Sequence, residues 1–244
     1  MIEIKDLSHS FGGNQVLKNI SLFVGEGEIM AVMGSSGGGK TTLLRCISGL
    51  IKATSGSVLV DGINVQEQPE EARRKMGMVF QSAALFDYLT VGQNVLFGVR
   101  RHLKLSPKEE VTLLTDTLSR VNLTGNEDLL PSELSGGMKK RVGMARAIAL
   151  NPSVLLYDEP TTGLDPITTY QIDELVANLR KTLGATSILV SHDLISVQRT
   201  ADRVAFLDQG EIVFVGTPAE FLAANHPAIQ EVVEKSQAKT LIKK

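Results

Sequence analysis

The stretch "EIMAVMGSSGGGKTTLLRCISGL", residues 28–50, constrains the fold more than any other. A continuous apolar run meets a glycine-rich loop, and a helical pattern starts directly behind it. The loop fits G-x-x-x-x-G-K-[ST], with Gly34, Gly39, Lys40 and Thr41 at the fixed positions. Glycines let backbone N–H groups wrap a phosphate, and the following helix start adds its positive end. Lys40 can neutralise the outer two phosphates of a nucleotide, and Thr41 can ligate Mg²⁺. The candidate cradle is the whole loop: Gly34, Ser35, Ser36, Gly37, Gly38, Gly39, Lys40, Thr41 and Thr42. A glycine-rich turn with an incidental lysine is the bland alternative, and the flanking strand and helix argue against it.

Other apolar stretches of strand type recur at 56–60, 75–80, 153–158, 186–191 and 203–208. Several are unbroken rather than alternating, as in parallel strands covered by helices on both faces. The start, "MIEIKDLSHSF", alternates like a half-buried strand. From about 90 to 150 the pattern turns mostly helical. There "SPKE" at 106–109 offers a capping serine, a proline at the first helical position and a glutamate for a capping box. "TPAE" at 217–220 repeats that logic. An α/β layered core with a helical insertion is the expected architecture.

At 244 residues the chain can bury a sizeable core. A net charge of −2 gives no general pull toward nucleic acid, so none is expected as a partner. Cys46 is the sole cysteine, which rules out a disulfide within the chain and reads as a buried thiol on an apolar helix. No apolar run approaches the ~20 residues that span a bilayer. Work at a membrane would need another subunit to hold the chain there.

Three strand ends carry further chemistry. "SVLLYDEP" ends a strand at Asp158, which could hold Mg²⁺, and Glu159 could orient and deprotonate an attacking water. "LVSHD" brings His192 to a strand tip, in reach of a γ-phosphate. Gln81 closes "GMVFQ", where its amide could reach Mg²⁺ or water. Each alone could be a solvated strand end; together with the loop they describe one nucleotide site.

"ELSGGMKKR", residues 133–141, is a second loop of phosphate-binding type, with Ser135, Gly136 and Gly137 before a helix. A second copy of the chain, placed head to tail, could present it to the first copy's nucleotide. The bland alternative is a serine-capped helix with glycines for close packing, which leaves Glu133, Lys139, Lys140 and Arg141 as a solvated face.

With these pieces in order, residues 1–222 resemble the ATP-binding cassette ATPases, the motors of ABC transporters. The resemblance implies a RecA-like parallel-sheet core (about 1–88 and 151–222) with an N-terminal antiparallel β subdomain and a helical subdomain at 89–150. Residues 223–244 extend beyond it. It also implies that Phe11 stacks on adenine, that Asp165 in "GLD" belongs to the D-loop, and that His192 is the switch histidine. Ser135, Gly136 and Gly137 would engage ATP on the opposing subunit, making the chain half of two sites.

The family's usual last signature residue is glutamine; here it is Met138. Together with "YDEPTTGLDPI" and "QSAALFDYLTVGQNV", it makes the chain similar to ATPases of Mla-type, Mce-associated lipid transporters. That similarity implies lipid cargo, an integral-membrane permease and an Mce-type lipid-binding protein. It also implies a peripheral place on the cytoplasmic face of the membrane, or on the stromal side in a plastid. ATPases for polar solutes, and non-transport cassettes in repair or translation, stay open as rivals. In the tail, Ile229, Val232 and Val233 form an apolar stripe that needs a surface, on a neighbouring ATPase or on the chain itself.

Overall fold

The computed structural model describes residues 1–241. They form two compact units: Met1–Arg73 with the chain from Thr186 onward, and Arg74–Ala185.

The first unit opens with β1 (Ile2–Phe11) and β2 (Asn14–Val24), paired antiparallel. Ile2, Ile4 and Leu7 of β1 are buried and Lys5 is exposed, as its polarity pattern predicts. Then come β3 (Ile29–Gly34), α1 (Lys40–Ile47), β4 (Ser55–Val60), β5 (Ile63–Asn64) and α2 (Pro69–Arg74). The order β2-β1-β4-β5 makes an antiparallel sheet.

The second unit runs through β6 (Met76–Val79), α3 (Val91–His102), α4 (Pro107–Arg120), α5 (Gly136–Ile148), β7 (Val154–Asp158) and α6 (Pro166–Leu183). β6 and β7 are parallel, with Val79 opposite Tyr157. α5 packs against β6 so closely that a Cβ on Gly77 would sit 2.2 Å from the Ala147 carbonyl oxygen. α4 starts with the expected capping box: the Ser106 hydroxyl accepts from the Glu109 N–H while the Glu109 carboxylate accepts from the Ser106 N–H at 2.7 Å. Such a cap contributes about 1 kcal/mol.

The chain re-enters the first unit with β8 (Thr186–Val190), α7 (Leu194–Thr200), β9 (Arg203–Asp208), β10 (Glu211–Gly216), α8 (Pro218–Ala223) and α9 (Pro227–Leu241). Within this unit β9, β3 and β8 are parallel in that order, and β10 adds antiparallel on the outer side of β9. Every residue of β7 and β8 is buried, and so are the first five of β3, which explains their unbroken apolar runs.

The apolar stripe of the tail is covered by the same chain. Ile229 is fully buried with Phe206 and Phe221, and Val232 and Val233 pack against that cluster. Each large apolar side chain so buried contributes roughly 1.5–3 kcal/mol. Residues 242–244 of the expected extension lie outside the described residues. Among the described residues no helix is long and apolar enough to cross a membrane.

Candidate functional site

In the first unit the carboxyl end of β3 delivers the chain into the glycine loop, and α1 leaves it. A Cβ on Gly34 would lie 2.1 Å from the carbonyl oxygen of Leu207, so only glycine lets β9 press this closely. Gly39 caps α1 in a left-handed conformation (φ 100°) with no side-chain hydrogen bond. No side chain caps the start of α1, an arrangement that suits an anion at this helix end. Ser35, Ser36 and Gly37 are exposed, while Gly38, Thr41 and Thr42 are half-buried. Lys40 is buried, and its Nζ donates to the carbonyls of Gly34 (2.9 Å) and Ser35 (2.7 Å).

A concavity of about 200 Å³ adjoins the loop, lined by residues 14–16, Gly37, Gly38 and Gly210. Phe11, at the end of β1, is 50% exposed and stands edge-on to His9 with centroids 4.5 Å apart. An exposed ring one turn from this concavity suits stacking on a flat base. His192 is exposed in the turn between β8 and α7; its neighbour Asp193 caps α7 through the Ile195 N–H at 2.9 Å. Cys46, on α1, is buried, and burial pushes its thiol up to about 11.

The second unit brings Gln81, Thr162 and Lys140 into direct contact with Glu159. Asp158 ends β7 almost fully buried. Glu159 turns out of the strand at φ 48°, a left-handed conformation that a non-glycine residue holds at a cost of order 1–3 kcal/mol. Its Oε2 accepts from Gln81 Nε2 at 3.3 Å and from Thr162 Oγ1 at 2.8 Å. Lys140 of α5, buried, donates from Nζ to the Gln81 carbonyl and, at 3.4 Å, to the Glu159 carbonyl. Burial pushes the Lys140 ammonium below its ordinary range, against the opposing pull of Glu159 and Asp158.

Thr162 carries no signal of its own in the sequence, and Lys140 reads there only as part of the solvated face of the bland alternative. The structure departs from that alternative at two of its basic residues. Lys140 points inward, and Arg141 donates to the Val121 carbonyl (3.0 Å) and to Gln171 Oε1 (3.1 Å). Helical spacing held the signal: 140, 143, 144 and 147 share the buried side of α5.

The "LSGGM" loop forms the serine-capped helix start that its packing reading expects. Ser135 caps α5, its Oγ accepting from the Met138 N–H at 3.3 Å. Ser135 and Gly136 are exposed. A Cβ on Gly137 would lie 2.6 Å from Thr168 Cγ2, so this glycine also serves packing against α6. Asp165 caps α6, its Oδ1 accepting from the N–H groups of Ile167 and Thr168 at 3.0 Å. The Thr168 hydroxyl, with these N–H groups, holds its carboxyl below the usual range.

The donors named for Mg²⁺ are a hydroxyl (Thr41), an amide oxygen (Gln81) and one carboxylate (Asp158). Each, in its own unit, is a hard oxygen donor of the kind Mg²⁺ takes. No cluster of three or more His, Cys, Asp or Glu side chains that could hold a metal occurs among the described residues.

Comparison with known proteins gives this arrangement its class. The family model described as ABC transporter matches residues 17–162, from β2 through the Glu159 turn. The chain belongs to that family: it is the ATP-binding, ATP-hydrolysing subunit of an ABC transporter and has the ABC ATPase fold. It is 44% identical to the methionine import ATP-binding protein MetN of Caulobacter vibrioides, over 93% of this chain and 70% of that protein. It is 39% identical to the intermembrane phospholipid transport system ATP-binding protein MlaF of Escherichia coli, over 96% of this chain and 88% of that protein. Among solved structures it resembles the ATP-binding cassette MJ0796, a dimer in a post-hydrolysis state bound to ADP and phosphate. That match has a TM-score of 0.81 and 32% identity, covering 89% of this chain and 99% of MJ0796.

Proposed function

We propose that the chain drives the transport of phospholipid or another hydrophobic lipid, working as a pair of copies beneath a separate permease. An Mce-type lipid-binding protein would complete the assembly on the far side. The 39% identity to MlaF over nearly the whole chain supports this reading, as do Met138 and the segments that flank it.

For hydrolysis, the carrying observation is the Glu159 carboxylate, aimed by a left-handed turn and held by Gln81 and Thr162. In our reading Glu159 takes a proton from the attacking water, and Gln81 keeps the carboxylate in line. Lys40 and the N–H groups of residues 34–42 bind the β- and γ-phosphates, Phe11 stacks on adenine, and His192 contacts the γ-phosphate. Mg²⁺, held by Thr41, Gln81 and Asp158, would supply positive charge against the phosphate oxygens. Ser135, Gly136 and Gly137 would close on the nucleotide of the second copy, with Asp165 shaping the approach. The dimeric MJ0796 structure supports that pairing. Residues 89–150 would form the helical subdomain that meets the permease. The chain would then sit peripherally on the cytoplasmic face of the membrane.

A second reading, import of an amino acid, is favoured by the 44% identity to MetN. Affinity capture from native membranes in mild detergent, with partners and bound lipid identified by mass spectrometry, separates the two. A permease with an Mce-type protein and phospholipid supports the lipid reading. A permease with a soluble solute-binding protein overturns the cargo and keeps the motor.

A further inference from the structure

The signature helix carries a buried ammonium that the nucleotide chemistry above leaves unused. Lys140 sits one turn into α5, five residues after Ser135. A lysine is seldom buried without partners, because an unpaired ammonium away from water is costly. Its partners here are main-chain carbonyls of two residues already placed in the hydrolytic step, Gln81 and Glu159. Their side chains also bond each other, Gln81 Nε2 to Glu159 Oε2 at 3.3 Å. One ammonium thus tethers the backbones of both members of a converging pair. One of the two, Glu159, holds a conformation that non-glycine residues avoid.

We propose that Lys140 is a positioning residue that fastens the start of the signature helix to Gln81 and Glu159 of the same chain, holding the carboxylate where it can act on water. The inference rests on the role given to Glu159 above. Without the tether the Glu159 turn loses one of its backbone holds, and the carboxylate, still bonded to Gln81 and Thr162, shifts off its line. Displacement of about 1 Å at a reacting group costs on the order of 100-fold in rate. The surrounding loop has a second, independent hold: Arg146, two turns further along α5, donates to the carbonyls of Ala84 (2.7 Å) and Ala83 (2.8 Å). Loss of Lys140 alone therefore leaves the loop after Gln81 fastened.

Lys140→Met keeps the apolar stem and removes the ammonium. The expected result is a fall in kcat of about 30- to 100-fold. Nucleotide affinity, read with a fluorescent ATP analogue, should stay within about threefold. In a Glu159→Gln background the same change should add nothing, because the group it positions is already gone. If Lys140→Met does not fold, Lys140→Gln is judged by the same criteria, since its amide is too short to reach both carbonyls.

Near-native turnover overturns the proposal. So does a parallel loss of affinity and turnover, or a multiplicative loss on top of Glu159→Gln, either of which marks Lys140 as structural. Glu159→Gln run alone tests the underlying reading. Native turnover there removes the role of Glu159 itself; lost turnover there with an active Lys140→Met removes only the role of Lys140.

Discussion

Two glycine-rich loops in this chain each open a helix, and they are built to opposite designs. At residues 34–42 the cap is a left-handed glycine, so no side chain caps the helix start. The lysine folds onto its own loop, on the Gly34 and Ser35 carbonyls. At residues 135–140 the cap is a serine that satisfies one N–H of its own helix. The lysine leaves its loop for the carbonyls of Gln81 and Glu159. The first loop closes on itself through its lysine, while the second is a helix start tied to the backbone of Gln81 and Glu159, the pair proposed above for hydrolysis. Similar composition gave two devices because Lys40 is the first residue of its helix and turns back over its own loop, whereas Lys140 lies a turn further along α5 on its buried side.

Breaking one device at a time should separate binding from chemistry. The largest effect is expected for Glu159→Gln, with turnover falling on the order of 10²–10⁴-fold and nucleotide affinity retained, measured by phosphate release and analogue binding. Lys40→Ala should act on binding instead. Loss of charge-assisted contacts to phosphate weakens affinity by about 10- to 100-fold, visible by isothermal titration.

A smaller effect sharpens the contrast at the second loop. Gly137→Ala meets Thr168 Cγ2 at 2.6 Å, whereas Gly136→Ala has its nearest neighbour, Leu164, at 3.6 Å. The first should lower Tm by about 3–8 °C and the second by far less, followed by thermal denaturation. Equal tolerance of both would leave Gly137 free for a purely functional role.

The smallest effect concerns the α1 helix behind the cradle. The Cys46 thiol is raised from 9.0 to about 11 by burial, so the folded state keeps its proton where the unfolded chain loses it. Its contribution to stability is full below pH 9 and is lost as pH rises through 11. A thiol reagent should label the native protein slowly at pH 8 and the unfolded chain fast.

Much of this was legible in the sequence because it depends on neighbours along the chain. The strand before Gly34, the caps at Ser106 and Thr217, and the acids ending β7 all follow from local spacing. The antiparallel β10 was harder, since "EIVFVG" alternates between half-buried and exposed positions and lacks the unbroken apolar run of a central strand. Lys140 was missed for a different reason. In a run of Lys139, Lys140 and Arg141, charge argues for water, and only the register of α5 reveals which residue turns inward. Its partners lie 59 and 19 residues away in the chain, beyond the reach of any local pattern. The tail stripe needed tertiary contact as well, because its partners Phe206 and Phe221 come from β9 and α8.

The central claim is that each chain supplies half of two nucleotide sites. Light scattering on Glu159→Gln, expected to hold ATP without turning it over, tests it most directly. With Mg·ATP the mass should double from 26.3 kDa to about 53 kDa. Adding Ser135→Arg should leave a monomer that still binds the nucleotide analogue. A Ser135→Arg form that dimerises with ATP as well as its parent, or a parent that stays monomeric with ATP bound, would contradict the account.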